Sequence, residues 1–233
     1  MKHNRFFIGD FNSDSCQNSD THSGNILTPF LKTVKNKPEN LALWANDLAL
    51  SYGELWAASG PIASCLNEIV QYQKVESIGI IANRSISSFV SIIASLAAGI
   101  PYVPIHYKYP LKRQISILER AECSVLVLDE TNATVMEKLL PKITKSVSIL
   151  WIGSENIDKN FEIPQWHRLV SVNATAGREP EISDTRAACL LFTSGSTGEP
   201  KGIRIKHSNI ISYVKSIQKI YKPNETDRLS QIF

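Results

Sequence analysis

Apolar positions along the chain follow two alternating rhythms. Ile26, Leu27, Phe30, Leu31 and Val34 keep helical spacing, and Pro38 closes that run. A short strand is expected over residues 41–44, then a turn at Asn46-Asp47. Ser51 and Glu54 stand at capping-box spacing and open a helix with Leu55, Ala58, Ile62, Leu66 and Ile69 inward. Gly60-Pro61 in its middle predicts a kink or break.

The rhythms then alternate more tightly. SIGIIA at residues 77–82 reads as a buried strand, and residues 85–98 as a helix with Phe89, Ile93, Leu96 and Ala97 on one face, stopped by Gly99. Residues 101–105 are extended. Pro110, at a helix's first position, opens a segment with Leu111, Ile115 and Leu118 inward. Strands at 123–128 and 147–152 bracket a helix over 134–140. This order predicts an α/β fold, a mostly parallel sheet flanked by helices. Residues 154–185 read as an irregular loop with at most one short strand, and 187–192 as another buried strand. Residues 1–25, rich in Ser, Asn and Asp, are expected to be a flexible lead-in to a domain over 26–233.

That last strand runs into Thr193-Ser194-Gly195-Ser196-Thr197-Gly198-Glu199-Pro200-Lys201-Gly202. Gly195 and Gly198 permit backbone angles that turn successive amides inward as an anion nest. Thr193, Ser194, Ser196 and Thr197 add neutral donors, and Lys201 adds a positive charge. A polyphosphate is the ligand such a turn suits. The nucleotide loop G-x-x-x-x-G-K-[ST] does not fit, because the glycine spacing is wrong and Lys201 follows a proline. That loop also needs a helix directly after it. Here Gly202-Ile203-Arg204-Ile205-Lys206 alternates at strand spacing, so a strand–loop–strand hairpin is expected. A helix follows from about Ser208, with Ile210, Val214, Ile217 and Tyr221 inward.

These residues resemble the adenylate-forming (AMP-dependent synthetase/ligase) family, which includes acyl-CoA synthetases, luciferases and the adenylation domains of nonribosomal peptide synthetases. The loop matches the family's phosphate signature. Leu50-Ser51-Tyr52-Gly53-Glu54-Leu55 is similar to its early block. Leu96-Ala97-Ala98-Gly99-Ile100-Pro101-Tyr102-Val103-Pro104-Ile105, with Tyr109-Pro110 and Arg113, is similar to the next, and His207-x-Asn209 fits as well. The likeness covers residues 26–233, the N-terminal part of the family fold. Tyr-Val-Pro-Ile is the form of amino-acid-activating members.

The resemblance implies ATP as cofactor, with Mg2+ in an intact member, and Thr193, Ser194, Gly195, Ser196, Thr197, Gly198 and Lys201 as the phosphate-binding set. It implies attack of a carboxylate on ATP to give an acyl-adenylate and pyrophosphate, then transfer to a thiol such as a phosphopantetheinyl carrier protein. Family blocks for the substrate pocket, ribose and catalytic lysine are absent before Phe233, so this chain alone is expected to be inactive and to leave an apolar face uncovered. A complementing C-terminal chain is one expected partner. A fragment of an acyl- or aryl-CoA ligase and a non-catalytic nucleotide-binding remnant are the alternatives. His106 stands where amino-acid-activating members usually carry Asp. It reads as a polar residue closing a turn, with a titrating group near the fold's centre as the other reading. His3, His22 and His167 have no partners at ligand spacing, and no metal site is expected.

Composition changes this picture little. The 233 residues suffice for one large domain or two small ones and are 43% hydrophobic and 20% charged. A net charge of +3, spread along the chain, gives no argument for nucleic acid or an anionic membrane. The four cysteines lack C-x-x-C spacing, and three sit in apolar segments, as in a reducing cytoplasm. No run has signal-peptide or membrane-spanning character, so a soluble cytoplasmic protein is expected.

Overall fold

The computed structural model describes residues 5–6, 24–45, 47–152, 168–171, 187–194, 200–224, 227 and 229–230. Most of the expected lead-in, most of the 154–185 loop and residues 195–199 lie outside this set, as do His3, His22, His167 and Cys16.

A pair of residues, β1 (Arg5–Phe6), precedes α1 (Leu27–Asn36), β2 (Leu41–Ala45), β3 (Leu48–Ser51) and α2 (Tyr52–Tyr72). Then come β4 (Ser77–Ala82), α3 (Ile86–Ala97), β5 (Tyr102–His106), α4 (Leu111–Arg120), β6 (Cys123–Asp129), α5 (Ala133–Leu139) and β7 (Ser148–Ile152). The last elements are β8 (Arg168–Ser171), β9 (Ala187–Ser194), β10 (Pro200–Lys206), α6 (His207–Tyr221) and β11 (Leu229–Ser230). Among the described residues a seven-stranded sheet runs β10-β9-β5-β4-β6-β7-β8, and a four-stranded one runs β11-β1-β2-β3. In the larger sheet every neighbouring pair is parallel except β9 with β10. The structure thus has the α/β class that the alternating rhythms predict.

Both faces of the large sheet are covered. Ile78, Ile80, Val125 and Val127 pack with Leu55, Ile62 and Leu66 of α2 and Phe89, Val90 and Ala94 of α3. On the other face Ile81, Val103, Ile105 and Leu126 pack with Ile117 and Leu118 of α4 and Met136 and Leu139 of α5. Each such side chain contributes about 1.5–3 kcal/mol on leaving water. Gly79 on central β4 allows α4 its close approach, because a Cβ there would lie 2.8 Å from Leu118 Cδ2.

Local signals set the helix ends. The Ser51 hydroxyl accepts the Glu54 amide at 3.2 Å, and a Glu54 carboxylate oxygen accepts the Ser51 amide at 2.8 Å, so the expected capping box forms. Gly99 takes φ 69 after α3, the left-handed conformation expected at that stop. The Cys65, Cys123 and Cys189 thiols are free and buried. Burial pushes the Cys123 thiol up to about 12, so it behaves as a small hydrophobe.

Some expectations need correction. α2 does not break at Gly60-Pro61 but runs through Pro61 to Tyr72. A proline inside a helix costs about 3 kcal/mol. Burial of Leu55, Ile62, Leu66 and Ile69 offsets it. The carbonyl that loses its donor belongs to Ala57, on the exposed side where water can serve it. Ala58 is exposed, and the buried position beside it is Ser59, whose hydroxyl donates to the Trp56 carbonyl. Pro110 is the N-cap of α4, at φ −52 and ψ 140, and Leu111 is the first helical residue. Tyr221 is not inward but 73% exposed, like Ile220 beside it.

Replacing the cap hydroxyl, Ser51→Ala, should destabilise the protein by about 1 kcal/mol in chemical denaturation at neutral pH. The backbone and side-chain bonds from Ser51 hold Glu54 below its ordinary carboxylate value. A depressed folded-state value stabilises above the unfolded value and is lost as pH falls through the folded one. The difference between parent and variant should therefore shrink in acid.

Candidate phosphate-binding hairpin

β9 enters from the sheet interior and β10 leaves antiparallel beside it. The pairs run Pro200↔Ser194, Lys201↔Thr193, Gly202↔Phe192 and Ile203↔Leu191. This is the strand–loop–strand form expected from the alternation after Gly202, and it distinguishes the turn from a loop that feeds a helix N-terminus. Directly opposed residues share a face. Thr193 and Lys201 therefore stand side by side, both exposed, at the base of the connecting turn. Gly195, Ser196, Thr197 and Gly198 lie outside the described residues, as does the Ser194 side chain.

The opposite face of the hairpin is closed by one ring. Phe192 packs against the buried cluster on the α4 side, which includes Leu190, Ile117 and Leu118. A Cβ on Gly202 would lie 2.9 Å from Phe192 Cζ, so glycine is what lets the ring lie across β10. Helix α6 begins immediately after β10 with His207, which is 2% exposed and accepts the Ile26 amide on Nδ1 at 3.4 Å. The Asn209 side-chain oxygen accepts the Lys206 amide at 3.0 Å. The His207-x-Asn209 pair thereby ties the end of the hairpin to α6 and to the start of α1.

β9 joins the sheet through β5, at Tyr102↔Cys189. The Tyr102 hydroxyl and Cys189 thiol engage each other there. Burial, and then this thiol, raise the Tyr102 pKa, while burial raises that of Cys189. Both stay neutral, so the joint carries no charge.

A second polar cluster escaped the sequence reading. At the carboxyl ends of β4 and β6 the chain turns to opposite faces of the sheet, to α3 and α5. Asp129, 4% exposed, accepts from the Ser85 hydroxyl at 2.8 Å, the Thr131 amide at 3.1 Å and the Asn132 amide nitrogen at 2.7 Å. The Thr131 hydroxyl also bonds Asp129 and receives the Asn83 side chain. A buried carboxylate needs such partners. The signal was present in Asn83-x-Ser85 and Asp129-x-Thr131-Asn132, polar pairs of turn-forming type directly after two apolar strands. The cluster fixes the two diverging turns and stands apart from the hairpin.

His106 closes the turn after β5, as its position suggests: its Nδ1 accepts the Lys108 amide at 3.1 Å. Its ring stacks on Tyr107 at 5.1 Å and 21° and lies 5.5 Å from Tyr109. Arg113 places its guanidinium 4.4 Å from the Tyr109 ring centroid. Burial, then the charges of Arg84 and Lys108, lower the His106 pKa.

A doubly covered, mostly parallel sheet with Thr193 and Lys201 paired at its end places the chain in the α/β class. The comparisons narrow this class. The model of the family described as AMP-binding enzyme matches residues 30–232, and the chain belongs to that family. Syringomycin synthase SyrB1 of Pseudomonas syringae pv. syringae is 32% identical over 205 residues, 85% of this chain and 29% of that protein. Tyrocidine synthase 2 of Brevibacillus parabrevis is 32% identical over 185 residues, 79% of this chain and 4% of that protein. This chain thus spans less than a third of the length of these curated relatives.

Among solved structures, the Vibrio cholerae adenylation domain AlmE, in complex with glycyl-adenosine-5'-phosphate, matches at TM-score 0.71 and 20% identity, over 84% of this chain and 38% of that one. A putative long-chain-fatty-acid CoA ligase from Rhodopseudomonas palustris CGA009 matches at TM-score 0.71 and 16% identity, over 88% of this chain and 50% of that one. These likenesses establish the fold. The family is adenylate-forming and uses ATP, and homologues of this chain are nonribosomal peptide synthetase adenylation domains, matched here over their N-terminal part.

Gly202→Ala should push the Phe192 ring off β10 and cost roughly 1 kcal/mol or more. Thermal denaturation together with the ring-proton shifts of Phe192 checks both effects.

Proposed function

We propose that this chain is the phosphate-gripping part of an amino-acid-adenylating ligase. The observation that supports this reading most directly is the paired, exposed placement of Thr193 and Lys201 at the base of a Ser/Thr/Gly turn. In the proposal Thr193, Ser194, Gly195, Ser196, Thr197 and Gly198 donate to the β- and γ-phosphates of ATP. Lys201 neutralises part of their charge. Such fixed donors stabilise charge more cheaply than water does, because they need no reorganisation as the reaction proceeds. The carboxylate of an amino acid would attack the α-phosphate and release pyrophosphate, and a thiol, such as that of a phosphopantetheinyl carrier, would then take the acyl group.

The fold alone matches amino-acid and fatty-acid ligases equally. The Tyr102-Val103-Pro104-Ile105 motif, in the form found in amino-acid-activating members, favours an amino acid. Magnesium is implied for intact members, but among the described residues no group of three His, Cys, Asp or Glu side chains could hold a metal. The residues that would contact the amino acid and the α-phosphate belong to blocks not found in this sequence. Among the described residues no helix is long and apolar enough to cross a membrane.

The chain alone should show no amino-acid-dependent ATP–pyrophosphate exchange. ATP should shift the backbone amide signals of residues 193–201. Lys201→Ala should weaken ATP binding roughly tenfold, about 1.4 kcal/mol, as expected for one charge-assisted contact. Amide signals that ignore ATP in the folded protein would remove the basis of this reading.

A further inference from the structure

Strand β5 is bonded very unequally on its two sides. Toward β4 it pairs at five positions, from Ile78↔Tyr102 to Ala82↔His106. Toward β9 it pairs at one, Tyr102↔Cys189. The sequence of β5 supplies a reason. The Ile78 amide donates to the Pro101 carbonyl at 3.0 Å, and the Tyr107 amide donates to the Ala82 carbonyl at 3.3 Å. Odd-numbered residues along β5 therefore turn their backbone groups to β4. Alternation turns those of Tyr102, Pro104 and His106 to β9. Pro104, the middle one, has no N–H to donate. A proline on the side where a ladder should run ends that ladder.

Beyond Cys189, β9 is paired with β10 alone. Those two strands pair at seven positions, from Pro200↔Ser194 to Lys206↔Ala187. The outer hairpin is thus bonded firmly within itself and tied to the parallel sheet at one place. At that joint the Tyr102 hydroxyl and the Cys189 thiol engage each other. On one face Phe192 rests half-buried against the α4-side cluster. On the other, Leu191 and Ile203 stand opposite each other, 39% and 50% exposed, with no covering layer among the described residues.

We propose that Pro104 is a positioning residue: by holding β9 unzipped from β5, it makes the outer β9–β10 hairpin an arm that swings as a unit about the Tyr102–Cys189 joint. The arm carries Thr193 and Lys201, and its use in gripping phosphate rests on the reading given above. Segments that close on a ligand and release it are drawn from the weakly tethered parts of a fold. A ladder continued past Pro104 to His106 would instead fix β9 along its length.

The test follows backbone amides of the full chain by NMR relaxation dispersion, without ligand. Residues 190–194 and 201–204 should share one microsecond-to-millisecond process that is absent from β4 and β6. Pro104→Val restores a donor in a residue type suited to a strand. The new amide at position 104 should exchange with solvent about tenfold more slowly than an exposed amide, the effect of one hydrogen bond to β9. The shared process should then vanish, and Pro104→Ala should act in the same way. A parent hairpin without this motion overturns the proposal. So does an unprotected amide at position 104, or motion that persists in a folded variant whose amide is protected. Should neither variant fold, the dispersion of the parent decides. An arm that moves yet ignores ATP would remove only the function proposed above, and ATP binding without motion would remove only this inference.

Discussion

Strand β4 is the constraint from which the rest of the molecule is positioned. It pairs in parallel with β5 on one side and with β6 on the other, so none of its edges meets water. A parallel strand in that position must bury both faces, and parallel connections need crossover helices. The run Ile78-Gly79-Ile80-Ile81 meets both demands. Ile78 and Ile80 receive α2 and α3, while Gly79 and Ile81 receive α4 and α5. Gly79 shows how tight the fit is, because one added carbon would run into Leu118.

The hairpin inherits its position from that strand through a short chain of pairings. β4 sets the register of β5 as far as Ala82↔His106. β5 holds β9 at Tyr102↔Cys189, and β9 holds β10 through Lys201↔Thr193. The β4–β5 and β5–β9 links lie among buried apolar residues, and β10 brings the first charged side chains, Lys201, Arg204 and Lys206. At the last described pairs the Thr193 hydroxyl and the Lys201 ammonium stand side by side and exposed. A rigid apolar scaffold that ends in polar groups at the carboxyl edge of its parallel strands suits a ligand that needs many fixed donors.

Much of this was legible in advance where a local rule and the tertiary fold agree. The Ser51–Glu54 box, the Gly99 stop and the strand spacing after Gly202 all operate within a few residues, so sequence distance and spatial distance coincide. The rules misled where long-range packing decided. Pro61 breaks a lone helix, yet α2 continues because its buried side chains outweigh one lost hydrogen bond. Ala58 fits the apolar stripe of α2, yet it faces outward and Ser59 takes the buried place. Tyr221 keeps the helical spacing of α6, yet it lies where α6 has no covering layer among the described residues. Asp129 was hidden for a different reason. It looks like an ordinary polar residue at a strand end until Ser85, far away in sequence, arrives to bond it.

The sequence alone determined the α/β class, the order of nearly every element and the hairpin formed by β9 and β10. These follow from period, caps and turn residues, which are properties of neighbours along the chain. Only the tertiary structure decided which strands lie side by side, and therefore which side chains stand level at the sheet edge. Tyr102 and Cys189, whose pairing joins β5 to β9, stand far apart in sequence. No local pattern brings them together, because strand order and register are set by the packing of the whole sheet.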